Sequence, residues 1–140
     1  MKNSLFKNSE AFTSTLPLFN DTRGSLSFTE VNKDLPFDVK RCFWIFNVPG
    51  NIGRGAHAHK SDHQYLVCIK GSVTIEVNFF NEKITIKLDK PNMCLYAPPL
   101  TWLNLVAFSN DAVLNVLSSN LFNPDDYIEN FDEYLTYEKS

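Results

Sequence analysis

The 140-residue sequence has no uninterrupted apolar stretch approaching the roughly 20 residues that cross a bilayer. Its first residues, Met1 to Phe6, lack the continuous apolar segment of a secretory signal. A cytoplasmic location with no membrane partner is therefore expected. No run of Lys and Arg is present, and 13 basic against 16 acidic residues leave a formal net charge of −3. Phosphate backbones are bound by basic patches, so nucleic acid is not an expected partner. Cysteine is scarce: Cys42, Cys68 and Cys94 are odd in number and widely spaced. That spacing excludes a disulfide framework and a Cys-x-x-Cys metal or redox motif. Each thiol is expected to be a small buried side chain. A Gly-rich phosphate loop of the Rossmann or Walker kind is also missing, so a pyrophosphate has to be met by side chains and strand-end amides.

What the sequence does have is apolar material in short pieces. A hydrophobic content of 44%, with 14% aromatic, is enough for one core, and residues 1–140 are expected to form a single domain. Before about Pro17 the patterning is weak. Asp21-Thr22-Arg23-Gly24 marks a turn into an alternating strand at residues 25–28. Residues 39–48 carry Phe43, Trp44, Ile45 and Phe46 in succession, which predicts a strand buried on both faces, inside a barrel or beneath a subunit interface.

Residues 65–69 and 73–77 read as a hairpin turning at Lys70-Gly71. Residues 84–89, 93–97, 102–108 and 112–117 add further short strands between turns rich in Pro, Asn, Asp and Ser. Such regular spacing predicts an all-β jelly-roll barrel. At the end, Asn123 caps a helix starting at Pro124, with Asp125 and Asp126 in its first turn. Tyr127, Ile128, Phe131, Tyr134 and Leu135 then form one core-facing stripe of that helix.

The chemistry is concentrated in Gly53-Arg54-Gly55-Ala56-His57-Ala58-His59-Lys60. Side chains of a strand alternate between faces, so His57 and His59 share one wall. Two imidazoles near their ordinary pKa of about 6.5 are suited to moving protons. A stable zinc or iron site wants at least three protein ligands, and the only other histidine, His63, lies beyond an expected turn.

The segment resembles the first signature motif of the cupins, with Gly71 in register and Asn51 where the opening glycine is expected. Gln64 stands where the cupins' metal-binding Glu belongs. Pro98-Pro99-Leu100-Thr101-Trp102-Leu103 resembles the second motif, with Leu103 at about the position of its histidine. The resemblance implies a double-stranded β-helix, or jelly-roll, barrel with a short C-terminal helix. It also implies that two of four metal ligands are gone.

Several stretches together resemble the dTDP-sugar 3,4-ketoisomerases, the WxcM-like branch of the cupins, from about Leu16 to Leu135. They are Asp21-x-Arg23-Gly24-Ser25-Leu26, the His-x-His segment with Gln64, Pro98-Pro99-x-x-Trp102, Phe108-Ser109-x-Asp111-Ala112-Val113-Leu114 and Pro124-x-Asp126-Tyr127-Ile128. The resemblance implies a homodimer without metal or other cofactor that converts dTDP-4-keto-6-deoxy-D-glucose into a 3-keto sugar nucleotide. That product leads to 3-amino-3,6-dideoxy sugars of bacterial glycans such as the O-antigen of lipopolysaccharide.

By the same resemblance His57 is the base at carbon, and His59 relays protons at oxygen or holds His57 in place, with the reverse allocation open. Arg54 steadies the enediolate or pyrophosphate, Arg23 with Gly24 is a second anchor, and Gln64 faces the same cavity. Trp102 is either a pocket wall or barrel core. No tyrosine occupies residues 43–46, so the mechanism has to lean on the imidazoles, or on Tyr65 or Tyr96 arriving from elsewhere. Arg23-Gly24 resembles the branch giving the galacto (fucose-type) product, with the gluco (quinovose-type) outcome as runner-up. Rival readings are a dTDP-sugar epimerase, a non-catalytic sugar-nucleotide binding module and a metal-dependent cupin oxygenase.

Overall fold

A computed structural model describes residues 2–50 and 52–138; Asn51, singled out above at the opening of the histidine motif, and Met1 lie outside the described residues. Along the chain run β1 (Lys2–Ser4), β2 (Phe12–Thr15), β3 (Leu18–Asp21), β4 (Gly24–Ser27), β5 (Arg41–Phe46), β6 (Arg54–His59) and β7 (Gln64–Lys70). They are followed by β8 (Val73–Phe79), β9 (Glu82–Leu88), β10 (Met93–Ala97), β11 (Trp102–Phe108) and β12 (Val113–Ser118). A 3-10 turn (Pro124–Asp126), β13 (Tyr127–Ile128) and α1 (Phe131–Leu135) complete the described residues.

One sheet has the order β1-β2-β10-β7-β12-β5 and a second β13-β6-β11-β8-β9, while β3 and β4 form a separate hairpin. Every strand pairing within them is antiparallel. The two large sheets face each other, and the alternating apolar residues of their inner faces fill the space between. Leu66 and Cys68 from β7, Ile75 and Val77 from β8 and Leu114 from β12 are almost wholly buried there. Each of the aliphatic side chains among them contributes about 1.5–3 kcal/mol by leaving water. This is the jelly-roll barrel of the cupins. Among the described residues no helix is long and apolar enough to cross a membrane.

Four local expectations are corrected. Residues 65–69 and 73–77 are not a hairpin: β7 pairs β10 and β12, whereas β8 pairs β11 and β9 in the other sheet. Alternation reports that a strand is half-buried and leaves its partner unspecified. Gly71 takes the chain round this corner at φ +71°, with Ala112 Cα only 2.9 Å from where a Cβ would sit.

The strand at residues 39–48 is shorter and not buried on both faces inside the barrel: in β5 of a single chain, Phe43 and Ile45 turn inward while Trp44 and Phe46 stay 59% and 54% exposed. Cys42 shares that outer face, so it is exposed rather than buried, unlike Cys68 and Cys94. The C-terminal helix is two pieces. Asn123 does accept a hydrogen bond from the Asp125 amide, but it caps only the 3-10 turn. Asn130 caps the real helix through the Glu133 amide at 2.8 Å. Between them Tyr127 and Ile128 pair with His59 and Ala58, completing the edge of β6 with main-chain hydrogen bonds that a helix would leave unmade.

Candidate active site

The strand β6 is irregular where it matters. Its pairing with β11 slips between Leu103, opposite His57, and Asn104, opposite Gly55, so one residue is extra. That residue is Ala56, at φ +57°, beside Gly55 at φ +87°. A bulge of this kind re-aims the side chains before it. It brings Arg54 to the same side as His57, although an odd spacing in a regular strand would set them on opposite faces. Beyond the bulge alternation resumes: Ala58 is fully buried against Trp102, Ile128 and Tyr134, while the rings of His57 and His59 meet edge to face, centroids 4.9 Å apart.

The histidines sit at the mouth of the barrel. A cavity of about 290 Å³ lies between the two sheets. Its polar lining is Arg54, His57, Gln64, Tyr127 and Glu129, and its apolar lining includes Phe43, Leu66, Leu103 and Val116. His57 lines this cavity, and His59 lies behind it, only 6% exposed. Burial pushes the His57 imidazole below its ordinary pKa, against an opposing backbone hydrogen bond with Gly55 and the charge of Glu129. Burial does the same to His59, helped by the His57 charge and opposed by Asp62 and Asp126. The ring of Tyr127 packs on both, at centroid distances of 4.8 Å and 4.5 Å.

Gln64 reaches this group from the opposite sheet, its Nε2 lying 3.2 Å from His59 Nε2 and 3.3 Å from Asp62 Oδ2. His59 Nδ1 lies 3.3 Å from Asp126 Oδ2. Among the described residues His59, Asp62 and Asp126 are a donor set within 4.8 Å of one another. Their carboxylate oxygens are spent on amide and hydroxyl donors of residues 61, 62 and 118–120. A divalent ion needs oxygens free to coordinate it, so the cluster is built as a hydrogen-bond network.

Other residues singled out from sequence lie elsewhere. Trp102 is core, packed on Phe131 and Tyr134 and away from the cavity. Its neighbour Leu103 faces the cavity, and alternation sends Trp102 to the opposite side. Arg23 and Gly24 sit at the tip of the β3–β4 hairpin, where the Arg23 guanidinium pairs with Asp21 at 2.6 Å in solvent. Within one chain they are not part of the site. Tyr65 bonds Thr29 and Tyr96 bonds His63 Nδ1, both in a separate core cluster, with burial raising both phenols. The phenol that does reach the cavity is Tyr127, which sequence reasoning assigned to a helix. The Asn130-x-x-Glu133 spacing, a second N-cap signal seven residues after Asn123, is the clue that would have freed it.

Residues 9–139 match the protein family described as FdtA: WxcM-like, C-terminal. The sequence is 41% identical over 117 residues to TDP-4-oxo-6-deoxy-alpha-D-glucose-3,4-oxoisomerase of Aneurinibacillus thermoaerophilus, covering 84% of each chain. The fold is similar to the 3,4-ketoisomerase QdtA from Thermoanaerobacterium thermosaccharolyticum, solved as a mutant in complex with TDP-4-keto-6-deoxyglucose. The TM-score is 0.88 at 36% identity over 94% of each chain. It is also similar to the TDP-quinovose 3,4-ketoisomerase WlaRB from Campylobacter jejuni, with a TM-score of 0.87 at 38% identity, covering 94% of this chain and 99% of that one.

Proposed function

The chain belongs to the FdtA family (WxcM-like, C-terminal) and is a dTDP-sugar 3,4-ketoisomerase; we propose that it takes dTDP-4-keto-6-deoxy-D-glucose to the galacto (fucose-type) 3-keto product, with His57 as the base at carbon. The observation that carries the assignment of the base is that His57, a half-buried imidazole whose pKa desolvation lowers, lines the cavity, while His59 does not. The reaction moves one hydrogen from C3 to C4 and one proton from the C3 hydroxyl to the C4 oxygen. His57 removes the C3 proton, the electrons flow to the C4 carbonyl oxygen, and an enediolate forms. The O3 proton passes to that oxygen, and return of a proton from His57 to C4 leaves the carbonyl at C3. Negative charge develops on oxygen in between, and Arg54 and the Tyr127 phenol stand on the same cavity wall to meet it. The apolar lining suits a sugar that carries a methyl group at C5.

The galacto outcome rests on the Arg23-Gly24 resemblance. The gluco outcome is the second reading, favoured by the 38% identity to a TDP-quinovose isomerase. We also infer a homodimer. The outer face of β5 with Trp44 and Phe46, and the hairpin with Phe19 and Leu26, leave large apolar side chains in water. A partner's hairpin is the means by which Arg23 and Gly24 reach a cavity. A cytoplasmic location accords with a substrate that is a nucleotide sugar.

Incubation with dTDP-4-keto-6-deoxyglucose in deuterated buffer, followed by NMR, tests the reading. The expected product has its carbonyl at C3 and deuterium at C4, and a small H4–H5 coupling when the C4 proton is monitored in light water. A large coupling means the gluco product, and no conversion removes the enzyme assignment.

The displaced pKa of His57 sets the pH dependence. The base works unprotonated and its folded pKa lies below the ordinary value of about 6.5. Hence kcat/KM is expected to stay level as pH falls to about 6.5 and to decline only below it. An acid limb centred above neutrality contradicts this placement of the base.

A further inference from the structure

We propose that Asp126 is a positioning residue for the isomerisation, fixing His59 as the tautomer protonated on Nδ1 with Nε2 engaged by the Gln64 amide, so that His59 braces His57 and does not carry substrate protons itself. The role in catalysis rests on the ketoisomerase reading above; the hydrogen-bond polarity does not.

The polarity follows link by link. Asp126 Oδ1 accepts from the Ser61 amide at 2.9 Å and the Ser61 hydroxyl at 2.7 Å, and Oδ2 accepts from the Asp62 amide at 3.2 Å. A carboxylate so surrounded is an acceptor only, so His59 Nδ1, 3.3 Å from Oδ2, has to donate. In a neutral imidazole the other nitrogen is then a bare lone pair. Gln64 Nε2 faces that lone pair and Asp62 Oδ2 together. Only the amide nitrogen, with two hydrogens, satisfies two acceptors; the amide oxygen would oppose both. Asp62 is pinned in turn by the Ser119 and Asn120 amides at 3.0 Å and by the Ser118 and Ser119 hydroxyls. Arg41 adds an ion pair at 3.3 Å.

Donation therefore runs outward from the Gln64 amide, through His59 to Asp126 on one side and directly to Asp62 on the other. For His59 to accept a proton from substrate, its Nε2 would have to shed Gln64, leaving a buried amide hydrogen unpaired. What His59 offers instead is a fixed ring edge. With Tyr127 packed on both imidazoles, it holds the His57 ring at one angle to the cavity. A base misplaced by about 1 Å loses on the order of 10²-fold in rate.

The test is long-range ¹⁵N–¹H correlation NMR of histidine-labelled enzyme at neutral pH, with kinetics on two variants. In the wild type His59 is expected to show a protonated Nδ1 and a bare Nε2. Asp126→Asn is expected to lose that single pattern and to drop kcat about tenfold or more, with KM changed by less than about threefold. Asn123→Ala loosens the same segment by removing the cap of the 3-10 turn and is expected to keep both the tautomer and kcat. A wild-type His59 protonated on Nε2, a wild-type kcat in Asp126→Asn, or an equal loss in Asn123→Ala each overturns the proposal. If Asp126→Asn does not fold, the wild-type tautomer still decides. A wild-type enzyme with the expected tautomer and no isomerase activity counts against the function, not against the network.

Discussion

Replacing His57 by asparagine is expected to lower kcat by about 10³-fold while leaving the affinity for dTDP and for the keto sugar nucleotide within a few-fold. Asparagine is close to imidazole in size and keeps a hydrogen-bonding group, so the cavity stays shaped. What it lacks is basicity. General base catalysis is worth roughly 10²–10⁴ in rate, and nothing else at the cavity replaces it. Glu129 is an exposed carboxylate of the cavity lining. The Nε2 of His59 is covered by Gln64. The Arg54 guanidinium is a hydrogen-bond donor with no acceptor lone pair. Binding is spread over many contacts and does not depend on where the C3 proton goes. Single-turnover kinetics beside equilibrium binding separates the two quantities. A variant that turns over near the wild-type rate shows that another group takes the proton.

Strand positions were legible because alternation is a local property. β8 and β9 fall where period-2 patterns end in Asn or Pro turns, and β10, β11 and β12 where short apolar stretches are bounded by Pro, Asn or Ser turns. Pairing was not, because it depends on where a corner sends the chain. Gly71 turns the chain between sheets where the sequence reads as a hairpin turn. The N-terminal strands were illegible for another reason: β1 is exposed throughout, and β2 gains its order from pairing with β10, so neither needs a strong pattern of its own.

At the site, the shared wall of His57 and His59 came from spacing, and the bulge at Ala56 did not, since alanine carries no signal for a left-handed backbone. Asp126 and Tyr127 read as helical in the sequence because aspartates at 125 and 126 suit a helix N-terminus equally well. Their use by His59 is a long-range contact between residues 67 apart in sequence. Gly53 has a similarly distant reason: a Cβ there would lie 2.7 Å from the Leu105 carbonyl of the neighbouring strand.

The second large effect is expected at Gln64. Gln64→Glu is isosteric, and if the residue served mainly to accept a hydrogen bond from a sugar hydroxyl, a carboxylate would serve at least as well. The network makes the opposite demand. Residue 64 has to donate to both His59 Nε2 and Asp62 Oδ2. A carboxylate there faces another carboxylate in hydrogen-bond contact, and two such groups do not both stay ionised without a shared proton. Otherwise it draws a second proton onto His59 and leaves its own charge against the cavity in which the enediolate forms. Either way the fixed polarity of the row is broken, and the developing oxyanion meets added negative charge. Gln64→Glu is therefore expected to lose about 10²-fold in kcat. Gln64→Leu, which removes two hydrogen bonds without adding charge, is expected to lose roughly tenfold or less. Steady-state kinetics on the pair gives the order directly. Leucine doing worse than glutamate would mean that Gln64 acts through the substrate and that His59 is held by Asp126 alone.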